Sequence, residues 1–275
     1  MERKQARSAV WMAAISAVAI CIALVGITYA WFTFDPYTKV TPMEGKISEG
    51  SANLLISESR SGPFDKQCEL HPASLPQVLS PVSTANLSSF YTAARQNKEG
   101  ITTHFREVSG EIGNYLISGT VYLQCKGGSC TVYLQAPPLA LGTDGQWLAA
   151  GRLGLKITGA TAGSGTYIFS LDDLGSTSGA ESRATIAPPA GQANRALVIR
   201  SVNAAGEPAF ADDPATGLNG CIHGAAGAKA LMTLKAEEVA TVEYWLYLEG
   251  CDPNCYNPVQ SKELALQLGF AGDPT

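Results

Sequence analysis

Charge is scarce in this chain. Only 16% of its 275 residues are Asp, Glu, Lys or Arg, and there are three His. Long solvent-facing helices are built from residues such as Glu and Lys, so a chain poor in them favours strands and turns. The charge that is present leans acidic, with a formal net of −5. No basic cluster and no stripe of interleaved aromatic and basic residues occurs, which argues against nucleic acid as a partner. Catalytic patterns are lacking as well. His71, His104 and His223 lie far apart, and no His-Glu-x-x-His is present. Gly163-Ser164-Gly165 is one residue short of a nucleophile elbow on either side, and Gly127-Gly128-Ser129 lacks the Lys and the helix of a phosphate loop. Asp172-Asp173 and Asp212-Asp213 are acid pairs without the spacing of a calcium loop, and read as solvated turns. The chain reads as a non-enzyme with no cofactor.

Long apolar runs are absent too, with one exception. Ala9 to Phe32 is almost continuously apolar, broken by Ser16 and Thr28, and is preceded by Arg3, Lys4 and Arg7. About 20 apolar residues let a helix cross the hydrocarbon core. The basic flank stays in the cytoplasm, so all that follows is exported. Thr28-Tyr29-Ala30 places small residues where a signal peptidase reads, with cleavage between Ala30 and Trp31. The run is longer than an ordinary signal core of about 7–15 residues, which leaves a retained anchor through residues 9–32 as the second reading. Residues 1–30 are thus a signal peptide or membrane anchor, 31–45 an extended linker or donor strand, and 46–275 an extracellular domain. From Trp31 onward, 16 bases face 23 acids.

Cysteine is sparse, yet evenly numbered where it counts. Cys21 lies inside the apolar run, leaving Cys68, Cys125, Cys130, Cys221, Cys251 and Cys255. Six cysteines in an exported domain read as a disulfide set. No Cys-x-x-Cys pair occurs, so zinc is not expected.

Strand signals recur along the chain. Trp31 to Pro42 is aromatic and extended, and its prolines forbid helix. Ser51 to Ser57 reads as the first core strand, Ser61 to Ser83 as a loop holding Cys68, and Leu87 to Asn97 as a short helix. Tyr115 to Cys125 and Cys130 to Gln135 both contain Val-Tyr-Leu-Gln and flank Lys126-Gly-Gly-Ser129. Such a pair around a Gly-containing loop reads as a hairpin, with Cys125 opposite Cys130. Strands are also expected at 153–157, 166–171 and 195–202, with loops at 175–194 and 204–227. Glu238 to Glu249 alternates as a long strand, and Lys262 to Phe270 as a closing one. Between them Cys251-Asp252-Pro253-Asn254-Cys255 is a turn bracketed by cysteines. The fold class is all-β, an antiparallel jelly-roll-like β-sandwich preceded by the N-terminal transmembrane or signal helix.

Three places carry a family resemblance. They are Gly26-Ile-Thr-Tyr-Ala-Trp-Phe-Thr33, Asn53-Leu-Leu-Ile56, and Tyr244-Trp-Leu-Tyr-Leu-Glu-Gly-Cys-Asp-Pro-Asn-Cys255 running on to Leu266-Gln-Leu-Gly-Phe270. Together they resemble the TasA and camelysin-like exported proteins of Gram-positive bacteria, which depend on a SipW-type signal peptidase. The resemblance implies a jelly-roll sandwich, either secreted or on the extracellular face of the cell membrane, in the biofilm matrix or at the cell surface. It also implies self-association into fibres by donor-strand addition of the mature N-terminus. Phe32 and Phe34 point the same way in an extended strand and are the candidate anchors. A membrane-anchored binding or adhesion module is the alternative. Some camelysin-like relatives are described as metalloproteases, which stands third here for want of a zinc motif.

Overall fold

Alternation builds the sheets. Along Ile117–Cys125 every second side chain is buried, and Cys130–Leu134 repeats the pattern. Such a period of two turns one face of a strand to the core. The structure, a computed structural model, describes residues 43–48, 53–76, 79–98, 101–135, 149–171, 186, 195–255 and 267–275. All of them fall within one compact unit, Tyr37–Thr275. Among the described residues no helix is long and apolar enough to cross a membrane. The apolar segment 9–32, Ala30, Trp31, Phe32, Phe34 and the pair Asp172-Asp173 lie outside the described residues.

The strands are, in chain order, β1 (Met43–Ile47), β2 (Leu54–Ser57), β3 (Gln67–Leu70), β4 (Tyr91–Gln96) and β5 (Thr102–Glu107). Then follow β6 (Ile117–Cys125), β7 (Cys130–Leu134), β8 (Gly151–Thr158), β9 (Gly165–Ser170) and β10 (Leu197–Val202). The last are β11 (Pro208–Asp212), β12 (Thr216–Gly217), β13 (Met232–Leu234), β14 (Val239–Leu248) and β15 (Gln267–Pro274). One sheet runs β13-β7-β15-β1-β3 and the other β12-β9-β8-β14-β6-β2, while β4–β5 and β10–β11 form separate two-stranded ribbons. Pairing is antiparallel except for β1 with β15 and β12 with β9. The main core draws on both large sheets, with Leu54, Ile56, Val121, Leu123, Leu155 and Val242 from one and Val132, Leu134, Leu234, Leu268 and Phe270 from the other. The result is an all-β, sandwich-like fold. Each such side chain contributes about 1.5–3 kcal/mol by leaving water.

The expected hairpin does not form. β6 pairs with β14 and β2 in the six-stranded sheet, whereas β7 pairs with β13 and β15 in the five-stranded one. Residues 126–129 therefore carry the chain from one sheet to the other, with Gly127 at φ 76° in the turn. Alternation fixes which face of a strand is buried but not which strand lies beside it. β6 finds a longer partner in β14, which it meets from Ile117 to Gln124. The Cys125–Cys130 disulfide, with Cα atoms 6.2 Å apart, consequently joins the two sheets rather than the strands of a hairpin.

Four other expectations change. A strand, β1, precedes the one read as first and straddles the boundary drawn at residue 45. The loop read at 61–83 contains β3, which pairs with β1 and carries Cys68. The helix read at 87–97 is a turn followed by β4. Thr84 Oγ1 accepts the N–H groups of Asn86 and Leu87, and Asn86 Oδ1 those of Ser88 and Ser89. These side chains supply the backbone with partners other than a helix. The loop read at 204–227 contains β11, β12 and a 3₁₀ turn at Leu218–Cys221.

Candidate functional site

The end of β14 leads into the most unusual chemistry of the described chain. Glu249 follows the last residue of β14, and Gly250 to Cys255 fold back as a turn. Asp252 shapes that turn, its Oδ1 accepting from Asn254 N and Nδ2 at 2.9 and 3.0 Å. Glu249 Oε1 accepts the N–H of Cys251 at 3.0 Å. Short polar side chains that bond to the backbone a few residues away favour turns over regular structure.

Arg152 reaches this turn from β8, where it pairs with Tyr247 of β14. Its Nη2 donates to Asp252 Oδ2 at 2.7 Å and to Asp213 Oδ2 at 3.2 Å. Its Nη1 donates to the carbonyls of Ala149 and Gly151, both at 3.1 Å. Asp213 follows β11, and its Oδ1 accepts Ala215 N–H. The side chains of Arg152, Asp213 and Asp252 are 1%, 4% and 2% exposed, and Glu249 is 1% exposed. Among the described residues, three carboxyl groups and one guanidinium are thus buried together. Among the described residues, Arg152 Nε and Glu249 Oε2 have no hydrogen-bond partner.

Ser83 ties the cluster to the ribbons. Its hydroxyl oxygen accepts Ile199 N–H of β10 at 2.9 Å and the Cys251 thiol at 3.4 Å. Three apolar clusters meet here. Cys255 belongs to the main core. Val82 and Tyr247 belong to a second cluster with Phe90, Leu116 and Trp245. Cys251 packs on a third, made of Tyr91, Phe105, Ile186 and Ile199.

Electrostatics follow from this burial. Desolvation, and then Asp213, push the Glu249 carboxyl up to about 8, against the Ser83 hydroxyl, Arg152 and Cys251 N–H. Desolvation opposes the charge on Arg152, but Asp213, Asp252 and Glu249 outweigh it and hold the guanidinium charged. Burial, then Glu249, raises the thiols of Cys251 and Cys255. Thiols held protonated in this way are inert as nucleophiles. The cluster is suited to storing a proton and fixing a junction.

The other sequence candidates are scattered. Cys125 and Cys130 are joined, whereas Cys68, Cys221, Cys251 and Cys255 are free thiols in the structure. Cys251 and Cys255 bracket one turn but pack into different apolar clusters. Burial, then Glu58, raises Cys68 to about 11, and burial raises Cys221. His71 Nδ1 lies 2.8 Å from Glu58 Oε2, His104 Nδ1 2.8 Å from Thr103 Oγ1, and His223 Nε2 2.9 Å from Asp273 Oδ1. Among the described residues no group of three or more His, Cys, Asp or Glu is placed to hold a metal ion. Of the pair read as a solvated turn, Asp212 is exposed on Arg195 but Asp213 is buried on Arg152. That corrects the reading for Asp213, because a cation inside the fold takes the place of water. Sequence reasoning also missed Arg152, whose one signal was a lone cation between apolar neighbours at the start of a strand. Compared with known proteins, the chain matches no family model, no curated protein and no solved structure.

Proposed function

We propose that the chain is an exported structural protein of the cell surface or biofilm matrix. The observation that carries this reading is the Cys125–Cys130 bond between the two large sheets of an all-β domain. Disulfides of this kind persist in oxidising, extracytoplasmic compartments, and the domain follows a basic-flanked apolar segment suited to export. The passage of β6 into β7 from one sheet to the other supports a sandwich of the jelly-roll sort.

Assembly in this reading uses the mature N-terminus as a donor strand. Among the described residues β3 pairs with one strand of its sheet and β12 covers only Phe169 and Ser170 of β9, whereas the outer edges of β2 and β13 already bond the backbone of Asp65 and Ala162. An uncovered edge offers backbone donors and acceptors to an added strand. Phe32 and Phe34 supply side chains on one face of that strand. The length of the 9–32 segment favours a second reading, a binding or adhesion module held at the membrane by a retained anchor. Electron microscopy of purified mature protein tests the first reading against Phe32→Ser/Phe34→Ser. Fibres from the parent and none from the double variant support donor-strand assembly. Monomers from both, at all concentrations, overturn it.

A further inference from the structure

Glu249 has no ion-pair partner among the described residues. Arg152 pairs with Asp213 and Asp252, and Glu249 is a third carboxyl group buried beside them. An isolated buried charge is so costly that the group takes up a proton instead. Its Oε1 is occupied by Cys251 N–H, and its Oε2 is without a partner among the described residues. The proton therefore belongs on Oε2.

The same carboxyl sits where three structural units join. Ser83, whose oxygen accepts the thiol of the same Cys251 that donates its N–H to Glu249, also receives Ile199 N–H from β10. Asp213 N–H bonds Ala196 O beside β10, and its carboxylate is gripped by Arg152 of β8. Tyr91 of β4 exchanges backbone hydrogen bonds with Ser83 and donates its hydroxyl to Arg200 O. The ribbons β4–β5 and β10–β11 thus reach the sandwich through the neighbours of Glu249. We propose that the Arg152–Asp213–Asp252–Glu249 cluster is a proton-controlled latch. It holds the two ribbons closed while Glu249 is neutral and loosens them when Glu249 ionises.

Among the described residues, the titratable and charged groups facing Glu249 are Arg152 from β8, Asp213 after β11, Tyr247 on β14, and Cys251, Asp252 and Cys255 in the turn. Ionised Glu249 would repel Asp213 inside the fold and draw Arg152 away from the two Asp carboxylates. The burial that lifts its titration to about 8 places the transition within a range bacteria meet.

Amide hydrogen exchange on the disulfide-intact protein at pH 6.5 and 9.5, corrected for intrinsic rates, tests the latch. The expected result is at least a tenfold loss of protection in peptides covering 91–107 and 197–213, with 117–134 unchanged. Glu249→Gln should keep that protection at both values. Infrared spectroscopy should show a protonated carboxyl band at pH 6.5 that disappears by pH 9.5. Equal protection of the ribbons at both pH values, or loss in all three regions together, overturns the proposal. So does the same ribbon loss in Glu249→Gln. If Glu249→Gln does not fold, the parent's exchange pattern and infrared band decide: both changes support the latch, and absence of either refutes it.

Discussion

Arg152→Met is the perturbation that most sharply tests the reading of the buried cluster. Methionine keeps much of the length of the side chain and its apolar stem. It removes the charge shared by Asp213 and Asp252 at 3.2 and 2.7 Å, and two bonds to the carbonyls of Ala149 and Gly151. Removing one partner of a buried ion pair costs about 3–5 kcal/mol, because the remaining charge stays desolvated. The two carbonyl bonds add about 1 kcal/mol each at most, partly offset by protonation of an aspartate. A net loss of about 3–5 kcal/mol is a large share of the 5–15 kcal/mol typical of a domain. With a urea m-value near 2–3 kcal/mol/M, the midpoint should fall by about 1–2.5 M. Adding Asp213→Asn and Asp252→Asn should restore at least half of the loss, since neutral amides do not need the cation. Loss below about 1 kcal/mol in the single variant, or no recovery in the triple, would show that the charges are solvated and the reasoning wrong.

Two further outcomes follow from the same geometry. The Glu249 carboxyl stands near 8 in the fold and near 4.3 in an unfolded chain. Between those values the folded state binds the extra proton, so stability falls as pH rises and levels off above about 8. The full effect is on the order of 5 kcal/mol; urea midpoints from pH 5 to 9 should show the slope in the parent and a flatter profile in Glu249→Gln. The Cys125–Cys130 bond closes a loop of six residues, for which chain entropy gives about 2 kcal/mol. Cys125→Ser/Cys130→Ser should lose about that amount in chemical unfolding, and an unchanged midpoint would deny the bond a role in holding the sheets.

Much of the sandwich was legible because its strands are rich in β-branched, aromatic and other apolar residues, and β6 and β7 alternate strictly. β6, β8, β9, β10 and β14 lie where period two and β-branched or aromatic residues place them. The strands that escaped are short or lack that pattern. β1 has Gly45 at a buried position, β3 reads Gln-Cys-Glu-Leu, and β11 is half-buried from Pro208 to Ala211 and exposed at Asp212. β1 takes β15 from the far end of the chain as its partner and β3 pairs back onto β1, which local pattern does not encode. The exchange of a hairpin for a crossing between sheets has the same origin: the Val-Tyr-Leu-Gln words fit either arrangement. The buried cluster was legible only in fragments. Asp252 was read as a turn former and Asp213 as a solvated acid, while the Arg152 that makes them one site lies 100 and 61 residues away.

Export into an oxidising compartment is the claim on which the function rests, and intact mass spectrometry with N-terminal sequencing addresses it directly. Protein would be taken separately from medium, membranes and cytoplasm of a Gram-positive host expressing the full chain. The expected species begins at or within a few residues of Trp31, is found in the medium, and gains the mass of at least two hydrogens on reduction. A full-length chain confined to the cytoplasm with every cysteine reduced would contradict the account.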